Sequence, residues 1–125
     1  MDIQEISKRI NDNAHVKGFW DNGIDIPEKL MLIVSELSEA MEADRINKFM
    51  PHYSKISAIN GWTGDDDFTE SFKKYAKDTF EDELADAAIR IFDLAFQMGF
   101  DLSAHIEAKT RFNEMRPHMH GGKKY

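Results

Sequence analysis

The stretch Phe80–Met98, FEDELADAAIRIFDLAFQM, decides how this chain folds. It is rich in Ala, Leu, Ile and Glu and holds no Gly or Pro, so it predicts a helix of about five turns. Asp78 stands where it can cap the first turn, with Glu81 three residues on in capping-box spacing, and Gly99 follows where helices stop. At 100° per residue, Leu84, Ala88, Ile91, Phe92 and Ala95 cover one side, and Ile89 and Phe96 widen it. The only charged stripe holds Glu83, Asp86, Arg90 and Asp93, at i, i+3, i+7 and i+10. A helix apolar on most sides is buried, and buried carboxylates need a partner.

A second stretch repeats this design. Asp25 and Pro27 signal a helix start, and the helix runs through EKLMLIVSELSEAMEADR to about Arg45. Leu30, Ile33, Val34, Leu37 and Met41 form its expected core face. Glu36 and Glu39 fall elsewhere on the wheel, beside Leu32, Ala40 and Ala43, while Glu42 and Asp44 read as solvated charges. One helix thus carries E-x-x-E and the other E-x-x-D.

The rest of the chain also reads as helix. Ile3, Ile6, Ile10 and Ala14 make one apolar stripe of a first helix over 3–16, ended by VKGFWDNG. Trp20 in that turn is either a core or interface aromatic or a stacking surface for a nucleotide base. From 46 to 77 the pattern is weakest and reads as an arm inserted between the two carboxylate helices. There a short helix over 68–76 turns Phe68, Phe72 and Tyr75 inward. The run Asp65–Asp67 lacks the later Gly and Glu of a calcium loop, so it is a turn and helix cap. Asp101 caps a last helix over 102–115, stopped by Pro117. Its wheel brings Lys109, Asn113 and Arg116 to one face.

With 125 residues, one all-α domain of four-helix-bundle type is expected, small enough to gain from self-association. No apolar run has membrane length, and the mixed-charge start MDIQEISKRI does not resemble a secretory signal. Cysteine is absent, which removes thiolate metal sites and fits a reducing, cytoplasmic setting. A formal charge of −7 argues against polymeric nucleic acid as partner, although the end of the chain, from Lys109, is basic.

Two i, i+3 carboxylate pairs on neighbouring antiparallel helices would put four acids around one point. Like charges 4 Å apart repel by roughly 4 kcal/mol at an effective dielectric of 20. A hard divalent cation removes that penalty, and Mg²⁺ prefers a few carboxylates with positions left for water and phosphate. A lone E-x-x-E is ordinarily a solvated face; two such carboxylate pairs on otherwise apolar helices favour a metal site over that reading. A di-iron bundle would want Glu-x-x-His, which neither helix has.

SELSEAMEA, then DTFEDELADAAIRIFDLA, then K-x-x-x-N-x-x-R-P ending in HGGKKY, resembles the MazG-like family of all-α nucleoside triphosphate pyrophosphohydrolases. The likeness covers the first helix with GFWD and everything from Pro27 except the arm, whose length departs from shorter family members. It implies a Mg²⁺-dependent enzyme, with Mn²⁺ as a substitute, that cleaves nucleoside triphosphates between the α- and β-phosphates. It implies Glu36, Glu39, Glu83 and Asp86 as metal ligands, and Lys109 and Asn113 as triphosphate contacts assisted by Arg116. Glu39 is the choice for the carboxylate that takes a proton from the attacking water, with Lys109 catalytic beside it and Trp20 carried as a substrate contact. Asp93 is expected to support the site through a hydrogen bond and Arg90 to neutralise the stripe. The family also implies homodimers or homotetramers with sites at subunit interfaces. Alternatives are a related hydrolase acting on phosphoribosyl-ATP or a dUTP-like nucleotide, and a helical interaction module without catalysis. His118 and His120 read as part of a tail closing over phosphates, with Lys123 and Lys124 adding charge.

Overall fold

The computed structural model describes residues 1–52 and 55–117. Six helices account for the regular structure of the described residues: α1 Ile3–Val16, α2 Ile26–Arg45, α3 Ile56–Asn60, α4 Asp65–Tyr75, α5 Phe80–Gln97 and α6 Leu102–Glu114. The fold class is all-α, with no strand among the described residues. No described helix is long and apolar enough to cross a membrane. The backbone groups into two compact units, with α5 running from one into the other. One comprises Met1–Asn22 and the chain from Phe92 onward, and the other Gly23–Ile91.

In the first unit α1 packs against α6. Asp2 caps α1 by accepting from the Glu5 amide, and Asp101 caps α6 by accepting from Ala104. The expected stripe of Ile3, Ile6 and Ile10 is only half-buried. Ala14, the last member of that stripe, is buried as expected, together with Asn11 and Ser7 one and two turns before it. Ser7 can be buried because its hydroxyl donates to the Ile3 carbonyl, and Asn11 because its amide has carboxylate and amide partners. Gly99 ends α5 at φ +78°, where the Phe100 amide reaches back to the Ala95 carbonyl. That left-handed closure suits a residue without Cβ.

In the second unit, Asp25 caps α2 as expected, accepting from Glu28. The core face expected of α2 is where the structure departs most from the sequence pattern. Leu30, Val34, Leu37 and Met41 are 47–60% exposed, and Met31 beside them is 62% exposed. Glu36, Ala40 and Ala43 are the buried positions. On α5, Leu84, Ile89 and Ile91 are likewise exposed, while Glu83 and Ala87 are buried. Both helices are apolar on two sides, so hydrophobicity alone does not choose the inward one. Here it is the side carrying carboxylate and small side chains.

The start of α5 also differs from the sequence reading. Asp78 adopts φ +61° and does not cap the helix. Thr79 does so, its hydroxyl accepting from the Asp82 amide, while the Asp82 carboxylate accepts from the Asp78 amide. Glu81 points back to the arm, accepting from the Met50 amide at 3.1 Å. Together with the Phe80 amide on the Lys48 carbonyl and the Phe49 and Phe80 rings 5.1 Å apart, it ties the arm to α5. The arm holds α3, which is too short to show a period, packed on α4. Phe68, Phe72 and Tyr75 on α4 are half-buried, and Asp65–Asp67 form its first turn, where the helix dipole favours acids.

Candidate metal centre

Glu36 and Glu39 occupy adjacent turns of one side of α2, and Glu83 the first turn of α5. One carboxylate oxygen from each lies within 4.8 Å of the others. No other such group of three occurs among the described residues. Glu36 and Glu83 are 8% and 7% exposed, whereas Glu39 opens to solvent. Ala40, Ala43 and Ala87 flank them and are also buried, so small side chains leave the space that the carboxylates occupy. Asp86, the fourth expected ligand, lies one turn beyond Glu83, half-buried and outside the group of three.

The electrostatics follow from this crowding. Burial, then the Glu39 and Asp86 charges and a hydrogen bond with Glu39, push the Glu83 carboxyl up to about 7. Asp86 is raised as well, first by burial, then by Asp82 and Glu36, and Arg90 works in the opposite direction. Arg90 supplies the cation of the cluster: its Nε donates to Glu36 Oε1 at 2.6 Å. The sequence places Arg90 on the charged stripe, yet its partner sits 54 residues away on α2 rather than one turn away on α5.

The donor set fits a hard divalent cation. Oxygens bound to one ion at about 2.1–2.5 Å stand at most roughly 4–5 Å apart, and hard cations take carboxylate oxygens. The three carboxylates, within 4.8 Å of one another, reach the upper end of that span. A cluster of three buried or crowded acids with one guanidinium has an excess of negative charge that such an ion would neutralise.

The remaining candidates fall in the first unit. Trp20 is 7% exposed, and its indole Nε1 lies 3.2 Å from both Asp93 oxygens. Asp93 Oδ1 also accepts from Asn11 Nδ2 at 2.8 Å. Asn11 continues to Gln97 Oε1, which His15 Nε2 approaches at 2.7 Å. Trp20 and Asp93 are therefore members of a packed polar network, which the sequence reading missed because it sought apolar periodicity. Nothing in the sequence marks Asn11 as buried. On α6, Lys109 Nζ lies 4.9 Å from the Phe112 ring centre and the Arg116 guanidinium 5.9 Å from it. Phe112 thus gathers two cations, as the i, i+3 and i+4 spacings permit. Asn113 is exposed beside them. His118, His120, Lys123 and Lys124 lie outside the described residues.

Set against family models, curated proteins and solved structures, the chain matches none.

Proposed function

We propose that this protein is a Mg²⁺-dependent nucleoside triphosphate pyrophosphohydrolase releasing a nucleoside monophosphate and pyrophosphate. The observation that carries the reading is the convergence of Glu36, Glu39 and Glu83 from two helices on one point. Such a set is costly unless a cation fills it, and phosphoryl transfer is the chemistry that most needs divalent cations. When bound, Mg²⁺ would neutralise phosphate oxygens and polarise the phosphorus centre. Mn²⁺ would serve in its place.

Within the chain, Glu36, Glu39 and Glu83 would hold the ion, with Asp86, one turn beyond Glu83, as the fourth ligand that the resemblance implies. Glu39, the exposed member, accepts the proton of the attacking water. The resemblance implies Lys109, Asn113 and Arg116 of the first unit as triphosphate contacts, and there Lys109 and Arg116 lie against the Phe112 ring. Trp20 shapes the fold around Asp93 rather than stacking on the base. The exposed row Leu30, Val34, Leu37 and Met41 on α2 supports a homo-oligomer, since so large an apolar face on a small protein ordinarily meets a partner.

The test is a nucleotide panel with Mg²⁺, resolving pyrophosphate from orthophosphate. Pyrophosphate with monophosphate, abolished by a chelator, is the expected outcome. Orthophosphate alone refutes attack at the α-phosphate. Turnover confined to phosphoribosyl-ATP or deoxyuridine nucleotides would move the protein to a related hydrolase. Turnover of none of them, without metal binding, would make it an interaction module.

A further inference from the structure

The Arg90–Glu36 pair has a role beyond neutralising the stripe. Glu36 is 8% exposed, and in the structure Arg90 Nε donates to its Oε1 at 2.6 Å. That oxygen belongs to a carboxylate that a cation in the cluster would also need. A divalent ion held by Glu36, Glu39 and Glu83 would lie within a few ångströms of the guanidinium. Their repulsion scales with the product of the charges, so it is twice that between two monovalent cations. Arg90 is not confined to this contact. Its side chain is 35% exposed, and it lies at the edge of the cluster, so it has somewhere to go.

We propose, resting on the reading of the carboxylates as a divalent-cation site, that Arg90 is the resident counter-ion of that site. It holds Glu36 when the ion is absent and releases it when the ion binds. Two consequences follow. The metal-free fold is kept from carrying a buried, unpaired carboxylate, which would be strongly destabilising. Metal binding is weaker than the carboxylates alone would give, because each ion must displace a guanidinium. The rival role is orientation, in which Arg90 fixes Glu36 so that its other oxygen meets the ion. Loss of such a supporting contact typically weakens metal binding by about 10–100-fold. The two roles therefore predict opposite signs.

The experiment uses the full chain stripped of metal, with Mn²⁺ as the probe, followed by its paramagnetic resonance signal and by thermal melting. Arg90→Met is expected to bind Mn²⁺ roughly tenfold or more tightly than the parent, equivalent to about 1.4 kcal/mol. Without metal it should melt below the parent, and with saturating Mn²⁺ the gap should close or reverse. Arg90→Gln is neutral yet can still donate one hydrogen bond to Glu36. It tests the same sign should the methionine variant not fold. Unchanged or weaker Mn²⁺ binding by the variants, with the parent still binding, overturns the displacement role while leaving the metal site standing. Absence of Mn²⁺ binding by parent and variants alike overturns the metal-site reading, and this inference with it.

Discussion

Replacing Glu83 with Gln is expected to stabilise the metal-free protein. Glu83 is 7% exposed and its carboxyl is pushed from 4.5 to about 7, first by burial and then by Glu39 and Asp86. Between those two pH values the folded chain holds a proton that the unfolded chain has lost. Stability therefore falls as pH rises from about 4.5 to about 7, and the whole cost is present above 7. At about 1.4 kcal/mol per pH unit the ceiling is about 3 kcal/mol, and water reaching the cluster through exposed Glu39 brings the expectation to about 1–3 kcal/mol. Gln has nearly the same shape, carries no charge, and can donate to Glu39 as the protonated acid does. In chelator at pH 8, Glu83→Gln should melt higher than the parent, by roughly 3–6 °C for each kcal/mol in a domain of this size. At pH 4.5 the two should melt together, because the parent's Glu83 is then protonated as well. The same variant should lose both turnover and the upward shift in melting that Mg²⁺ gives the parent. A lower melting temperature at pH 8, or a difference that persists unchanged at pH 4.5, would refute the charge-crowding account of the site.

For the parent, Mg²⁺ at about 100 times its dissociation constant should add about 2.7 kcal/mol of stability, read as a concentration-dependent rise in melting temperature. Trp20→Phe removes the indole N–H from Asp93. Urea unfolding should show a loss of about 1–3 kcal/mol while the Mn²⁺ dissociation constant stays within error, since Trp20 serves packing. Thr79→Ala deletes the hydroxyl that caps α5 and should cost about 1 kcal/mol by the same measurement, whereas Asp78→Asn, which tolerates the left-handed turn, should cost less. Leu37→Glu combined with Met41→Glu places charge on the exposed face of α2. If the proposed homo-oligomer uses this face, light scattering should show it reduced to monomer, and an unchanged oligomeric mass would place the partner surface elsewhere.

What the sequence made legible was periodic or punctuated. The bounds of α1, α2, α5 and α6 follow from caps and stop signals such as Asp25, Asp101 and Gly99, which act within one turn. Glu36, Glu39 and Glu83 could be singled out because acids on largely apolar helices are conspicuous. The inward side of α2 could not be chosen, because Leu37 and Glu36 are neighbours on a helix with apolar residues almost all round. Only contact with α5, through Arg90 and Glu83, selects the acidic side, and that contact spans long separations in the chain. The network of Asn11, Asp93, Trp20 and Gln97 stayed hidden for a related reason: polar residues read as surface until their partners are known. Asp78 has the chemistry of a cap, but its left-handed φ of +61° leaves that role to Thr79.

The buried row on α2 has a consequence for how this protein can change. Glu36, Ala40 and Ala43 face inward only because each residue turns the helix by about 100°. Removing one residue just upstream, at Ser35 for instance, would deliver Leu37 to the place Glu36 now holds and turn the carboxylate to solvent. Trimming the exposed side chains of the same helix, by contrast, leaves that register intact. Along α2 this chain should therefore accept many exchanges of residue type and hardly any change in residue number.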